Sequence, residues 1–165
     1  MNFKSLQPHL IAILVFIGIT LVYYSPILEG KKMRQGDIVQ HTGMSKEIAD
    51  FRSQYHEEPL WTNSMFGGMP AYQISVLYKN NLMQYVDRIL KVGFPHPTGI
   101  LFVSLIGFYV LMLTLGSSAL LSAVGATAFS FTCFTFVVID AGHNSQANAT
   151  AYIAPVIAGI LLTYR

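Results

Sequence analysis

Apolar residues dominate four stretches of this chain, and a long polar segment separates the first stretch from the other three. The four stretches cover residues 9–28, 98–115, 119–139 and about 150–164. A helix needs about 20 mostly apolar residues to cross a bilayer. The pattern therefore predicts an all-α integral membrane protein with about four transmembrane helices, the fourth of marginal length.

The first stretch has a competing interpretation as a cleaved signal peptide, because Lys4 precedes it. A signal peptide has a shorter apolar region, followed by a cleavage site made of small residues. Tyr23 and Tyr24 stand there instead, and tyrosines favour the membrane interface. We therefore expect residues 1–28 to form an uncleaved transmembrane helix.

The remaining chain divides into a loop, residues 29–97, and a block of three transmembrane helices, residues 98–165. Gly116-Ser117-Ser118 predicts a tight turn that joins the second and third helices into a hairpin. The small residues Ser122, Gly125 and Ala126 in the third helix suit close helix packing.

Composition supports this interpretation, since 53% of the residues are hydrophobic and only 11% are charged, against about 25% in soluble domains. The net charge of +2 is too small and too scattered to indicate nucleic-acid binding. The lone Cys133 lies in an apolar run, where a small buried side chain is expected. Basic residues leave the orientation open: Lys31, Lys32 and Arg34 favour a cytoplasmic loop, whereas Lys4 and Arg165 favour the reverse.

The long loop has too many aromatic residues for a disordered linker. Apolar positions repeat with helical spacing in two places, and Ser45 precedes the first as a candidate cap. The two apolar faces comprise Met44, Ile48, Phe51 and Tyr55, and then Leu82, Val86, Ile89 and Leu90. Both patterns predict amphipathic helices lying along a membrane surface.

Two polar groups next to the apolar stretches are candidates for chemistry. Asp37 follows the first helix and Gly36, and a carboxylate there could act as a general base or bind a metal; an exposed turn aspartate is the simpler interpretation. Asp140 and His143 follow the third helix, where they could ligate a cation or bind phosphate. A polar loop that caps the helix is an equal alternative. An even number of helices separates the two groups, so we expect them on one side of the membrane.

A third group lies in the middle of the long loop. Gly67-Gly68 followed by Pro70 predicts a rigid turn, flanked by Trp61 and Tyr72. These rings could stack on a sugar or anchor at the lipid interface, and anchoring is the simpler interpretation of Trp61.

Several motifs together resemble the amino-terminal part of bacterial YfhO-like membrane proteins. They are Pro8-His9-Leu10-Ile11-Ala12, Tyr24-Ser25-Pro26, Gly36-Asp37-Ile38, the stretch from Glu58 to Gln73, and Ala141-Gly142-His143-Asn144-Ser145. That family is similar to GT-C glycosyltransferases, which are polytopic enzymes with lipid-phosphate-linked sugar donors. Its members are much longer, so the resemblance implies that this chain is an incomplete part of a larger enzyme.

The resemblance also implies a location and roles for residues. The amino terminus would be cytoplasmic, and the first loop would lie outside the bacterial cytoplasmic (inner) membrane. Asp37 would be the catalytic residue that orients or deprotonates an acceptor hydroxyl of an extracytoplasmic glycan or polymer. Asp140 and His143, directly or through a divalent cation, would stabilise the leaving lipid phosphate, and Trp61 and Tyr72 would contact substrate. The alternative is a non-catalytic membrane subunit or a carrier of lipid-linked sugars.

Overall fold

The computed structural model describes residues 3–78 and 80–164, with side chains from residue 6 onward. About 70% of the chain is helical and almost none is strand, which confirms the predicted helical class. The side chain of Lys4 and all of Arg165, which entered the orientation argument, lie outside the described residues.

Nine helices and one short hairpin are found in the described part of the chain. The helices are α1 (Phe3–Tyr23), α2 (Ser25–Leu28), α3 (Gly36–Met44), α4 (Lys46–Tyr55), α5 (Met83–Leu90), α6 (Thr98–Thr114), α7 (Ala119–Ser130), α8 (Cys133–Ala141) and α9 (Asn144–Thr163). The antiparallel strands β1 (Trp61–Thr62) and β2 (Met69–Pro70) precede a 3-10 turn, Ala71–Gln73.

Two helices are long and apolar enough to cross a membrane, α1 over residues 6–23 and α9 over residues 144–163. A third candidate is the pair α7 and α8, which bends by 42° between its two parts. The apolar helix α6 has 17 residues and is shorter than the others. The predicted continuous helix over 119–139 is therefore broken. The break falls at Thr132, whose extended backbone begins α8; a β-branched residue accepts this conformation readily.

Helix α6 forms the centre of the bundle, with α1, α7 and α9 packed around it. Its buried side chains include Leu101, Leu105 and Tyr109, and they meet the fully buried Phe16 of α1. Helix α9 turns a stripe of small residues inward, namely Ala147, Ala151, Ala154 and Ala158. Such a stripe lets two backbones approach closely. Small residues were expected to serve this purpose in the third predicted helix, and α9 has a stripe of them as well. Cys133 is exposed, contrary to the expected burial.

The loop between α2 and α6 is a folded unit. Ile48 of α4 is buried, and the rings of Phe51 and Tyr55 lie 4.7 Å apart between centroids. The guanidinium of Arg52 donates to the carboxylate of Glu58 at 2.7 Å and to the hydroxyl and carbonyl oxygens of Ser75, each at 2.9 Å. Helices are present at both positions where amphipathic helices were expected, and α3 adds a further helix that was not predicted.

Candidate functional site

Asp37 and His143 meet where α3 packs against the corner between α8 and α9. His143 Nε2 lies 2.8 Å from Asp37 Oδ2, and both side chains are about half exposed. Asp37 is in the first turn of α3, where the partial positive charge of a helix amino terminus favours a carboxylate. Two candidates that are 106 positions apart in sequence are thus in direct contact.

Gly142 makes this contact sterically feasible. It ends α8 with a φ of +102°, a conformation that L side chains rarely adopt. A Cβ atom at this position would lie 3.1 Å from Asp37 Cβ and 3.3 Å from the Ile38 nitrogen. The glycine therefore both turns the chain toward His143 and leaves room for Asp37.

Gln35 connects α3 to the corner between α8 and α9 through hydrogen bonds. It is only 6% exposed, and its amide nitrogen donates to the carbonyl oxygen of Ile139 and, at 2.9 Å, to Asn144 Oδ1. Asn144 Nδ2 donates back to Gln35 Oε1 at 3.2 Å. Buried amides need such partners, so this reciprocal pair fixes the register of Asp37 against His143. Gln35 was not predicted as a site residue. The only indication in the sequence was its position two residues before Asp37.

His96 extends the polar cluster on the other side of Asn144. The pKa of His96 lies below its usual value because burial and the positive charge of Lys91 disfavour the imidazolium, while a hydrogen bond with Asn144 acts in the opposite direction. His96 was not among the site residues predicted from the sequence. The structure places it between two cavities, of about 340 and 310 Å³.

A hydrogen-bonded network joins the surface helix α5 to α9. Lys91 Nζ donates to Asp87 at 2.8 Å and to Asn148 Oδ1 at 2.7 Å. The hydroxyl of Tyr152 donates to the other oxygen of Asp87 at 2.7 Å. The network fixes α5 beside the bundle, next to the His96 cavities.

The other predicted site residues do not contact the pair. Asp140 is exposed on the last turn of α8, and no ion pair or hydrogen bond links it to His143. Trp61 and Tyr72 are 56% and 64% exposed. The indole of Trp61 covers Gly68 so closely that a Cβ there would lie 2.6 Å from Nε1. Within the described residues, no hydrogen bond connects Asp140, Trp61 or Tyr72 to Asp37.

The carboxylate of Glu47 positions the hairpin that carries Trp61. Glu47 of α4 accepts a hydrogen bond from the Thr62 hydroxyl at 2.7 Å and another from the Asn63 backbone at 3.0 Å. These two donors hold the pKa of Glu47 below its usual value. The predicted Gly67-Gly68 turn joins the strands, with positive φ at both glycines.

The cation that the resemblance allows stays a prediction. The described residues contain no group of three or more His, Cys, Asp or Glu side chains that could hold a metal ion. His143 turns its Nε2 to Asp37 rather than to Asp140. The chemistry that this geometry offers is that of a carboxylate paired with an imidazole.

Comparisons of this chain with protein-family models, curated proteins and solved structures find no match.

Proposed function

We propose that this chain supplies part of the active site of a GT-C-type membrane glycosyltransferase, which moves a sugar from a lipid-phosphate-linked donor to an extracytoplasmic acceptor. The observation that carries the proposal is the 2.8 Å contact between Asp37 and His143. A carboxylate oriented by a histidine, and half open to solvent, suits a general base.

The proposed step is an inverting displacement. The acceptor hydroxyl oxygen attacks the anomeric carbon of the donor sugar, and the bond from that carbon to the phosphate oxygen breaks. The phosphate leaves with the electron pair, and the hydroxyl proton passes to Asp37. His143 contacts Oδ2 of Asp37, and Oδ1 has no hydrogen-bond partner within the described part of the chain. Oδ1 is thus the oxygen that would accept the proton.

The proposed topology has four membrane-spanning segments, namely α1, α6, the bent pair α7–α8, and α9. The amino terminus would be cytoplasmic, and the loop from residue 29 to 97 would lie outside the inner membrane. The proximity of Asp37 to His143 supports an even number of crossings between them, because α6 and α7–α8 would then form an up-and-down hairpin. Two residues separated by such a hairpin fall on one membrane face.

The acceptor and the donor would approach from the loop side. Trp61 and Tyr72 offer exposed aromatic rings beside the folded loop, and such rings present flat apolar faces with a polar edge. We assign them to contact with the glycan acceptor, with the membrane lipid as the surrounding medium.

The test compares Asp37→Asn with the unaltered protein in membranes supplied with a labelled lipid-linked sugar. Loss of a general base should slow transfer by about 10²- to 10⁴-fold. Asp50→Asn is the matched control, since Asp50 is an exposed carboxylate on α4 outside the site, and it should transfer normally. Equal transfer by Asp37→Asn and unaltered protein rejects the catalytic role. Binding of the labelled lipid without any transfer by the unaltered protein favours the carrier instead.

A further inference from the structure

A cavity between α5 and the start of α6 contains basic side chains that are separate from the Asp37–His143 pair. Its volume is about 340 Å³, within the range of small-ligand sites. Three basic side chains line it, those of Arg88, Lys91 and His96, together with one carboxylate, Asp87. We call it the basic cavity.

The positive charge in the basic cavity is only partly balanced. Asp87 lies 2.8 Å from Lys91 and so offsets that charge. Arg88 is exposed, and its side chain makes no ion pair or hydrogen bond with any residue that the structure describes. The basic cavity is therefore lined by one guanidinium that no carboxylate in the described chain neutralises, and its forked donors match a phosphate group.

His96 lies in the same basic surroundings. Burial and Lys91 lower its pKa, with only the Asn144 hydrogen bond in opposition. The charged groups around it are Arg88, Lys91 and Asp87 in the basic cavity, and Lys31 and Lys32 in the second cavity of about 310 Å³. A bound anion would reverse this effect and raise the pKa of His96.

The apolar face of α5, which points away from the basic cavity, favours a lipid as the molecule that carries the anion. Leu82 and Ile89 are each 75% exposed, and Val86 is 44% exposed. An amphipathic helix with such a face suits a lipid interface. The basic cavity thus lies beside a surface that attracts acyl chains, which favours a lipid phosphate over a free phosphate ion.

We infer that the basic cavity binds the phosphate group of a lipid, with Arg88 as its main ligand and Lys91 and His96 as further donors. Only the identification of that lipid as the sugar donor rests on the proposed function. The phosphate would then lie at α5 and α6, and not at Asp140 and His143 as the sequence suggested.

The test measures binding without sugar transfer, by titration calorimetry on detergent-purified protein. The probes are short-chain phosphatidic acid, diacylglycerol of the same chain length, and inorganic phosphate. Phosphatidic acid should bind most tightly. Arg88→Gln should weaken it roughly tenfold, about the effect of one charge-assisted hydrogen bond, and Arg88→Lys should restore part of the loss. Arg34→Gln is the control, since Arg34 is exposed and lines neither cavity.

Three results would overturn the inference. Equal weakening by Arg34→Gln and Arg88→Gln would mean a diffuse charge effect. Equal affinity for inorganic phosphate would remove the lipid, and equal affinity for diacylglycerol would remove the phosphate. NMR titration of His96 gives an independent measure, because its pKa should rise when phosphatidic acid binds and should not rise with diacylglycerol. Phosphatidic acid binding that persists while Asp37→Asn transfers normally would reject the proposed catalytic role and leave the basic cavity intact.

Discussion

Gly142→Ala tests whether the corner between α8 and α9 is built around Asp37. The left-handed backbone of Gly142 costs an L residue about 1–2 kcal/mol, and a less flexible unfolded chain returns about 0.4–1 kcal/mol of this. The new methyl group would also lie 3.1 Å from Asp37 Cβ, which adds an overpacking cost of roughly 1–3 kcal/mol. We expect Gly142→Ala to lose stability, and Asp37 to shift away from His143 by a few tenths of an ångström.

Gly116→Ala separates the cost of the left-handed backbone from the cost of overpacking. Gly116 has a similar φ of +90°, yet no atom lies within 4 Å of its Cβ position. Thermal unfolding in detergent should therefore show a larger loss for Gly142→Ala than for Gly116→Ala, by roughly 2–12 °C at 2–4 °C per kcal/mol. Transfer activity should fall only in Gly142→Ala. Equal midpoints and equal activities in the two variants would refute the proposed packing of Gly142 against Asp37.

Two further predictions concern the loop and the bundle. Glu47→Gln should loosen the hairpin, and acid should do the same to the unaltered protein. Because the pKa of Glu47 is lowered in the folded state, its contribution to stability is fully present above its unfolded pKa. That contribution is lost as the pH falls through the folded pKa. Fluorescence of the single tryptophan reports this, and the neighbouring Asp50→Asn should leave it unchanged. Gly107→Ala should destabilise the bundle by roughly 1–3 kcal/mol, because its Cβ would lie 2.7 Å from Pro155 Cδ. Gly18→Ala, with nothing within 4 Å, should not destabilise, as unfolding in detergent would show.

Periodicity and composition predicted much of the architecture because they depend only on local spacing. The apolar stretches, the α5 helix, the helix after Ser45 and the Gly67-Gly68 turn were all predicted from patterns of neighbouring residues. The bend at Thr132 was missed, because residues 126–139 form a continuous apolar run without a glycine or proline. Hydropathy does not distinguish a straight helix from two helices with a corner.

Helix α3 was missed for a different reason. Its residues include two glycines and the β-branched Ile38 and Val39, which have low helix propensity. No helix was predicted there, and an exposed turn was the simpler interpretation of Asp37. Tertiary contacts override this weak local preference, above all those of Gln35 with Ile139 and Asn144. A contact between residues so distant in sequence leaves no trace in the local pattern.

The contact between Asp37 and His143 contributes little to the stability of the site. Both side chains are more than half exposed, and exposed ion pairs contribute only about 0.2–1 kcal/mol. Loss of the buried Gln35 amide would remove its hydrogen bonds to the Ile139 carbonyl and to the Asn144 amide, each worth about 0.5–1.5 kcal/mol. The register of α3 is therefore set by Gln35, Asn144 and Gly142, and the pair is positioned by its neighbours. Asp37→Asn should accordingly leave the fold intact, so that a loss of transfer in this variant reports on chemistry rather than on folding.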